Sequence, residues 1–236
     1  MPNFAAMKIG ILTAMTSEHD QLAALMEEKA NIRSGHFAYI LGRIGQNDII
    51  LRQCGIGKVN AAIGASELIK AFSPQCLVST GVAGGIDPSL SIMDVVVSRQ
   101  LCYHDVWCGM GCEYGQIQGM PTFFNGNPRL VDVALKLNQK QTQTKIHAGL
   151  ICTGDQFITN PEELAKIKSH FPAGLACDME SAAIAHTCYI YQVPFVSFRI
   201  ISDAPGEKNH SDQWENFWAE MANRSFTITQ AYLKEL

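Results

Sequence analysis

The 236-residue chain is short of charge: Asp, Glu, Lys and Arg make up 17% of it, against about a quarter in an average globular protein. No basic cluster accompanies the net charge of −4, which argues against the electrostatic footprint of a nucleic-acid-binding protein. A small, largely uncharged ligand fits this balance better. No apolar run approaches the ~20 residues of a membrane span, so no membrane association is expected. The eight cysteines sit at irregular spacings, mostly in apolar stretches such as Leu150-Ile151-Cys152. No signal peptide precedes them, and reduced thiols in a cytoplasmic protein are the economical reading. Cys108 and Cys112 lack the second pair that a zinc site needs. His104, His147, His170, His186 and His210 show neither helical ligand spacing nor a Ser-His-Asp order. A metal and a nucleophilic triad are therefore not expected.

What the chain does have is alternation. Residues 1–6 read as a short extension and 7–236 as one domain, long enough to bury a substantial core. Ile9 to Met15 is an apolar strand, and Thr16-Ser17-Glu18 then carries a helix-start signature. Segments near 37–44 and 48–54 alternate like paired strands. From Lys58 to Phe72, apolar Val59, Ala62, Ile63 and Ile69 keep helical spacing. Gln75 to Thr80 is a strand expected to end in the turn Gly81-Val82-Ala83-Gly84-Gly85. A strand over Met93–Ser98 precedes a Gly- and Cys-rich loop from about 105 to 126. Helix near 127–138, strand near 145–152, helix over Pro161–His170 and helix over Met179–Tyr191 follow. Trp214, Phe217, Trp218, Met221, Ser225 and Ile228 mark a final amphipathic helix. The expected fold is a three-layer α/β/α architecture with a central mixed, largely parallel twisted sheet.

The chemistry-bearing candidates stand at the ends of these elements. The strand Phe195-Val196-Ser197-Phe198-Arg199-Ile200-Ile201 leads into Ser202-Asp203, and ligands of open α/β sheets sit at that carboxyl edge. Asp203 is there either as a turn residue or as a proton donor. Glu18 and Glu180 occupy helix starts, where acids also gather for the macrodipole alone. Taken together, three acids at the ends of apolar elements point to one crevice. Gly55-Ile56-Gly57-Lys58 lacks the Ser or Thr of a phosphate loop and the glycine five positions before Gly57, while Asn60 replaces the third glycine of a dinucleotide fingerprint. It remains a tight strand-to-helix turn. Phe157 follows a strand and either stacks on a flat ring or plugs the core.

Ile9-Gly10-Ile11 through Ala14-Met15 and Glu18, Gly55-Ile56-Gly57-Lys58-Val59, Thr80-Gly81-Val82-Ala83-Gly84-Gly85, Tyr103-His104-Asp105, Glu113-Tyr114-Gly115-Gln116, Gly154-Asp155, Met179-Glu180 and Ser202-Asp203 occur in that order. In this the chain resembles the 5′-methylthioadenosine/S-adenosylhomocysteine nucleosidases of the nucleoside phosphorylase superfamily, from Met7 nearly to the C-terminus. The resemblance implies hydrolysis of the bond between adenine and a 5′-thio-substituted ribose, with an adenine nucleoside and water as partners, no cofactor, and a homodimer. It implies Glu18 as the base for the attacking water, Asp203 with Ser202 beside it as the acid at adenine N7, and Glu180 on the ribose hydroxyls. Met179 would lie against the sugar, Phe157 on adenine, and the Ile158 backbone at the adenine edge. Met15, Ile56 and Trp214 would line the pocket, with Gly84 near the ligand. Adenine is a poor anionic leaving group and its departure needs a proton from an acid. The positive charge that builds on the sugar is stabilised by fixed carboxylates.

Phosphorolysis is the nearest rival. It needs cationic or N–H donors at the anomeric face, where this chain has Met15 to Glu18 and Ser79-Thr80. A non-catalytic nucleoside-binding module is a second rival, which the presence of all three acids opposes. The chain departs from the commoner family pattern in Val82 for Ser, in Asp178 for Glu, and in a loop over 106–112 that is one residue shorter and lacks an aromatic. The preferred 5′ substituent is left open by these departures.

Overall fold

The computed structural model describes residues 6–140, 144–203, 214–218 and 222–236, the last of these with side chains from Phe226 onward. Residues 1–5 of the expected extension, the stretch after Asp203 and the side chains of Met221 and Ser225 lie outside the described residues. Strand β1 (Lys8–Thr13) pairs in parallel with β4 (Asn47–Gln53) on one side and β5 (Cys76–Gly85) on the other. Beyond β4, antiparallel β3 (Phe37–Ile44) and β2 (Glu27–Ser34) form the edge. On the other side β5 runs parallel to β10 (Phe195–Asp203), which pairs antiparallel with β6 (Val95–Tyr103). β6 is parallel to β8 (Ile146–Thr153) and β8 to β9 (Gly174–Asp178), while β9 returns antiparallel to the end of β5. That half of the sheet therefore closes on itself, with β5 and β10 at its centre. The two-residue β7 (Phe124–Asn125) adds to β6.

Helices cover both faces. On one, α1 (Thr16–Ala24), α3 (Pro128–Lys136) and α6 (Ala222–Glu235) pack through Leu22, Leu130, Val131, Phe226 and Tyr232 onto Ile9, Ile11, Val78 and Phe198. Phe198 stacks on Tyr232 with ring centroids 4.7 Å apart. On the other, α2 (Lys58–Phe72) and α5 (Ser181–Tyr191) meet through Ala61, Ala65, Ala182 and Ala183, whose small side chains let the two helices lie close over Leu12, Leu77 and Ile201. α4 (Pro161–His170) closes a smaller cluster with Ile86, Cys152 and Phe171. The expected three-layer α/β/α arrangement around a mixed sheet is what these residues build.

Four local expectations are corrected. The Gly81–Gly85 stretch is not a turn; β5 runs through it to Gly85, paired with β10 and β9. Val59 and Ile63, 70% and 45% exposed, do not face the core; α2 buries Ala61, Gly64, Ala65, Leu68 and Ile69 instead. Met15, not Thr16, caps α1, since Glu18 at its third position reaches back to the Met15 N–H. Met179 and Glu180 precede α5 rather than opening it, and Glu180 is its cap residue. Strands β2 and β9 escape a reading by periodicity: β2 is polar and almost wholly exposed, and β9, though buried, has only five residues.

Candidate active site

Period two along β10 puts Ser197, Arg199 and Ile201 on one face. A bulge then inserts one extra residue, so that Ile201 pairs with Ala83 but Asp203 pairs with Gly84. Such bulges re-aim a side chain at a strand end. Asp203 is 3% exposed, and Ser202 Oγ donates to its Oδ1 at 2.8 Å. A β-carbon on Gly84 would sit 3.1 Å from Asp203 Oδ2, so glycine is what lets β5 pass so near the carboxylate. Asp203 is the last residue of β10 and lines a cavity.

Glu18 is buried at the first turn of α1. Its Oε2 accepts the N–H groups of Ala14 and Met15 at 2.9 and 3.0 Å, and its Oε1 that of Val82 at 2.9 Å. Burial raises its pKa above the ordinary value, against the opposing pull of the Arg199 guanidinium and the three amides. Glu180 Oε1 accepts the Gly57 N–H at 3.0 Å. Gly57 takes φ +94°, a conformation that suits glycine. Burial pushes Glu180 up to about 7, helped by Asp178 and Glu18 and opposed by Arg199. The Lys58 N–H goes to Asp155 Oδ1 at 2.8 Å, and Lys58 Nζ reaches Asp105. Carboxylates thus occupy two amides of the Gly55–Lys58 turn, which agrees with its failure to match a phosphate loop.

The residue that motif reading overlooked is Arg199. It is 1% exposed in the middle of β10. Its Nε lies 2.9 Å from Asp178 Oδ2 and donates to Ser181 Oγ at 3.1 Å, while Nη2 donates to Ser79 Oγ at 3.0 Å and lies 3.5 Å from Glu180 Oε2. Burial works against its charge, and Asp178, Glu180 and Glu18 together outweigh it, so its pKa stands above the ordinary value. The only signal for it in the sequence is a lone arginine inside an otherwise apolar or hydroxyl-bearing strand. Asp178, expected only as a shortened Glu, is the anchor that holds it: its Oδ1 accepts Thr153 Oγ1 at 2.6 Å and its Oδ2 accepts Ser181 Oγ.

All eleven residues expected at the site, from Met15 and Glu18 to Trp214, line one cavity of about 510 Å³. Ala14, Val82, Ala83, Gln156, Cys177 and Asp178 complete its wall. Phe157 is 55% exposed and meets Trp214 edge-on at 6.0 Å and 69°, so it is not a core plug. Ile56, at 51% exposed, and Met15 form an open end, while Ile158, Ser202 and Asp203 form the closed one. The wall carries carboxylates and no lysine or arginine among the described residues.

The family model for the phosphorylase superfamily matches residues 8–234. The chain is 40% identical over 231 residues to the 5′-methylthioadenosine/S-adenosylhomocysteine nucleosidase of Actinobacillus succinogenes, covering 98% of this chain and all of that one. Among solved structures, it is similar to the nucleosidase of Colwellia psychrerythraea in complex with adenine, with TM-score 0.92, 36% identity and coverage of 99% and 97%. It is also similar to the S-adenosylhomocysteine nucleosidase of Streptococcus pyogenes in complex with 5-methylthiotubericidin, with TM-score 0.91, 33% identity and coverage of 99% of each chain. With matches of this extent on both sequence and fold, the chain belongs to the 5′-methylthioadenosine/S-adenosylhomocysteine nucleosidases of the phosphorylase superfamily.

Proposed function

We propose that this cavity hydrolyses the N-glycosidic bond of 5′-methylthioadenosine and S-adenosylhomocysteine, releasing adenine and the 5-thio-ribose product. The observation that carries the reading is the convergence of Glu18, Glu180 and Asp203 on one largely apolar pocket. Asp203 gives a proton to adenine N7 as the bond to the sugar breaks, so the base leaves neutral. Glu18 takes a proton from water at the opposite face of the sugar. Its three backbone donors fix the carboxylate, and burial makes it a better base than a surface glutamate. Glu180 accepts hydrogen bonds from the ribose hydroxyls and, with Glu18, offsets the positive charge that grows on the ring. Met179 packs the sugar, Phe157 stacks on adenine, the Ile158 backbone reads its edge, and Ile56, Met15 and Trp214 face the 5′ substituent.

The active form is a homodimer in this reading. Val59 and Ile63 on α2, with Tyr189, Ile190 and Tyr191 at the end of α5, leave an apolar face on two packed helices, continuous through the Ser66–Tyr191 hydroxyl contact of 3.0 Å. A patch of this kind favours a second subunit over water. The 106–112 loop, with Trp107 and Met110 exposed, then completes the 5′ pocket of the other subunit.

Adenine release from 5′-methylthioadenosine, S-adenosylhomocysteine and a small panel of other 5′-substituted adenosines in phosphate-free buffer tests the reaction. Strict dependence on added phosphate would move it to phosphorolysis. Calorimetric binding with no adenine released would reduce the protein to a nucleoside-binding module.

A further inference from the structure

Away from the cavity, one buried charge has no opposite among the described residues. Arg52, on β4, is 5% exposed. Its Nη1 donates to Tyr39 Oη at 3.0 Å, and its guanidinium carbon lies 4.0 Å over the Phe37 ring and 5.3 Å from the centre of the Tyr39 ring. Its Nε is buried without an acceptor. A guanidinium keeps its charge in any protein setting, and burying one unpaired is strongly unfavourable. Aromatic faces offset part of that. The contrast is with Arg199, equally buried, which has two carboxylates and two hydroxyls around it.

Arg52 belongs to the wall of a second cavity of about 600 Å³ where β2 and β4 end and β3 begins. Arg33, His19 and His36 join it there, with Asn31 and Gln53 as neutral hydrogen-bonding groups and no Asp or Glu among the described residues of the wall. Asp20, outside the wall, approaches His19 Nδ1 at 3.2 Å. A chain of net charge −4 that gathers a second arginine and two histidines around an unpaired buried guanidinium offers a site for an anion. Two guanidiniums with imidazoles beside them suit a doubly charged oxyanion better than a single carboxylate, and arginine forks match phosphate geometry.

We propose that this groove binds the phosphate group of a small molecule, with Arg52 as the buried anchor and Arg33, His19 and His36 as the rim. The site is separate from the nucleoside cavity and stands whether or not the nucleosidase reading does. Titration of the full chain with inorganic phosphate at low ionic strength, followed by calorimetry or phosphorus NMR, should give one saturable site per chain. Arg52→Met should weaken it at least tenfold, and Arg33→Gln, at an exposed position that does not threaten folding, severalfold. Both variants should release adenine at the parent rate, and saturating adenine should leave phosphate affinity unchanged. A sugar phosphate binding more tightly than inorganic phosphate would assign the ligand as a monoester. The proposal is overturned by absence of binding, by variants that bind as the parent does, or by displacement of phosphate by adenine. It is also overturned if Arg52→Met instead shifts the dimer to monomer, which would mean that a carboxylate from a second copy fills the groove.

Discussion

Glu18 Oε1 accepts the Val82 N–H at 2.9 Å, and two residues further along the same strand Gly84 lies against Asp203. Two strand residues span about 7 Å. One rigid element therefore holds the proposed base and the proposed acid at different ends of a ligand, where each faces its own bond.

Asp203→Asn and Glu18→Gln are both expected to lower turnover by about 10²–10⁴-fold while binding adenine within a few-fold of the parent. Adenine release and calorimetric titration of each variant read the two effects separately. Near-normal turnover by Asp203→Asn would remove it from the acid role. Unchanged activity in Glu18→Gln would point to another water activator.

Gly81→Ala tests the close passage of β5. Its β-carbon would fall well inside contact with Glu18 Oε1 and 2.8 Å from Arg199 Nη1. Displacing either group is expected to destabilise the fold by about 1–3 kcal/mol and to depress kcat more than ligand affinity. Denaturant titration and steady-state kinetics check it, and a fully active, equally stable variant would show that the Glu18 carboxylate tolerates movement.

Glu180 makes stability depend on pH. Its carboxyl stands at about 7 in the fold against an ordinary 4.5, so the folded chain holds a proton that the unfolded chain has lost between those values. The stability this contributes is full below pH 4.5 and is lost as pH rises through about 7. Glu180→Gln, neutral at every pH, should gain stability relative to the parent across that window, by about 3 kcal/mol at most. Its affinity for the ribose should fall. Urea titrations at either side of the window decide the point; a constant difference between the two proteins would place the titration elsewhere.

Arg199→Met leaves Asp178 and Glu180 buried without their cation. Breaking a buried pair from one side typically destabilises by about 3–5 kcal/mol, and adding Asp178→Asn should recover part of the loss. Thermal unfolding of the single and double variants measures it. A Tm within about 2 °C of the parent would mean that water enters to replace the guanidinium.

Much of the site was legible because its residues end recognisable elements. Ile9–Met15 announces β1 by hydrophobicity, and Glu18 follows it at a helix start; the apolar run of β10 announces Asp203 in the same way. The motif order then brought Phe157, Met179 and Trp214 to the same pocket. Arg199 escaped because a lone arginine within an apolar strand belongs to no motif, and only its burial beside Asp178 reveals its place. Val59 and Ile63 misled for the opposite reason: helical spacing reveals an apolar stripe but not what covers it, and here the described chain leaves it open.

Local patterns in the chain thus settle most of its strands and helices, the placing of acids at their ends, and the family, because periodicity, turn residues and capping depend on neighbours a few positions apart. Three features depend on residues far apart in sequence. The bulge aligns Asp203 with Gly84 across two strands, the Gly57 N–H is aimed at a carboxylate 123 positions away, and Arg199 is shared among acids from separate elements. These contacts form only when the sheet closes on itself and excludes water, and that exclusion is what raises the pKa values of Glu18 and Glu180 above those of surface glutamates.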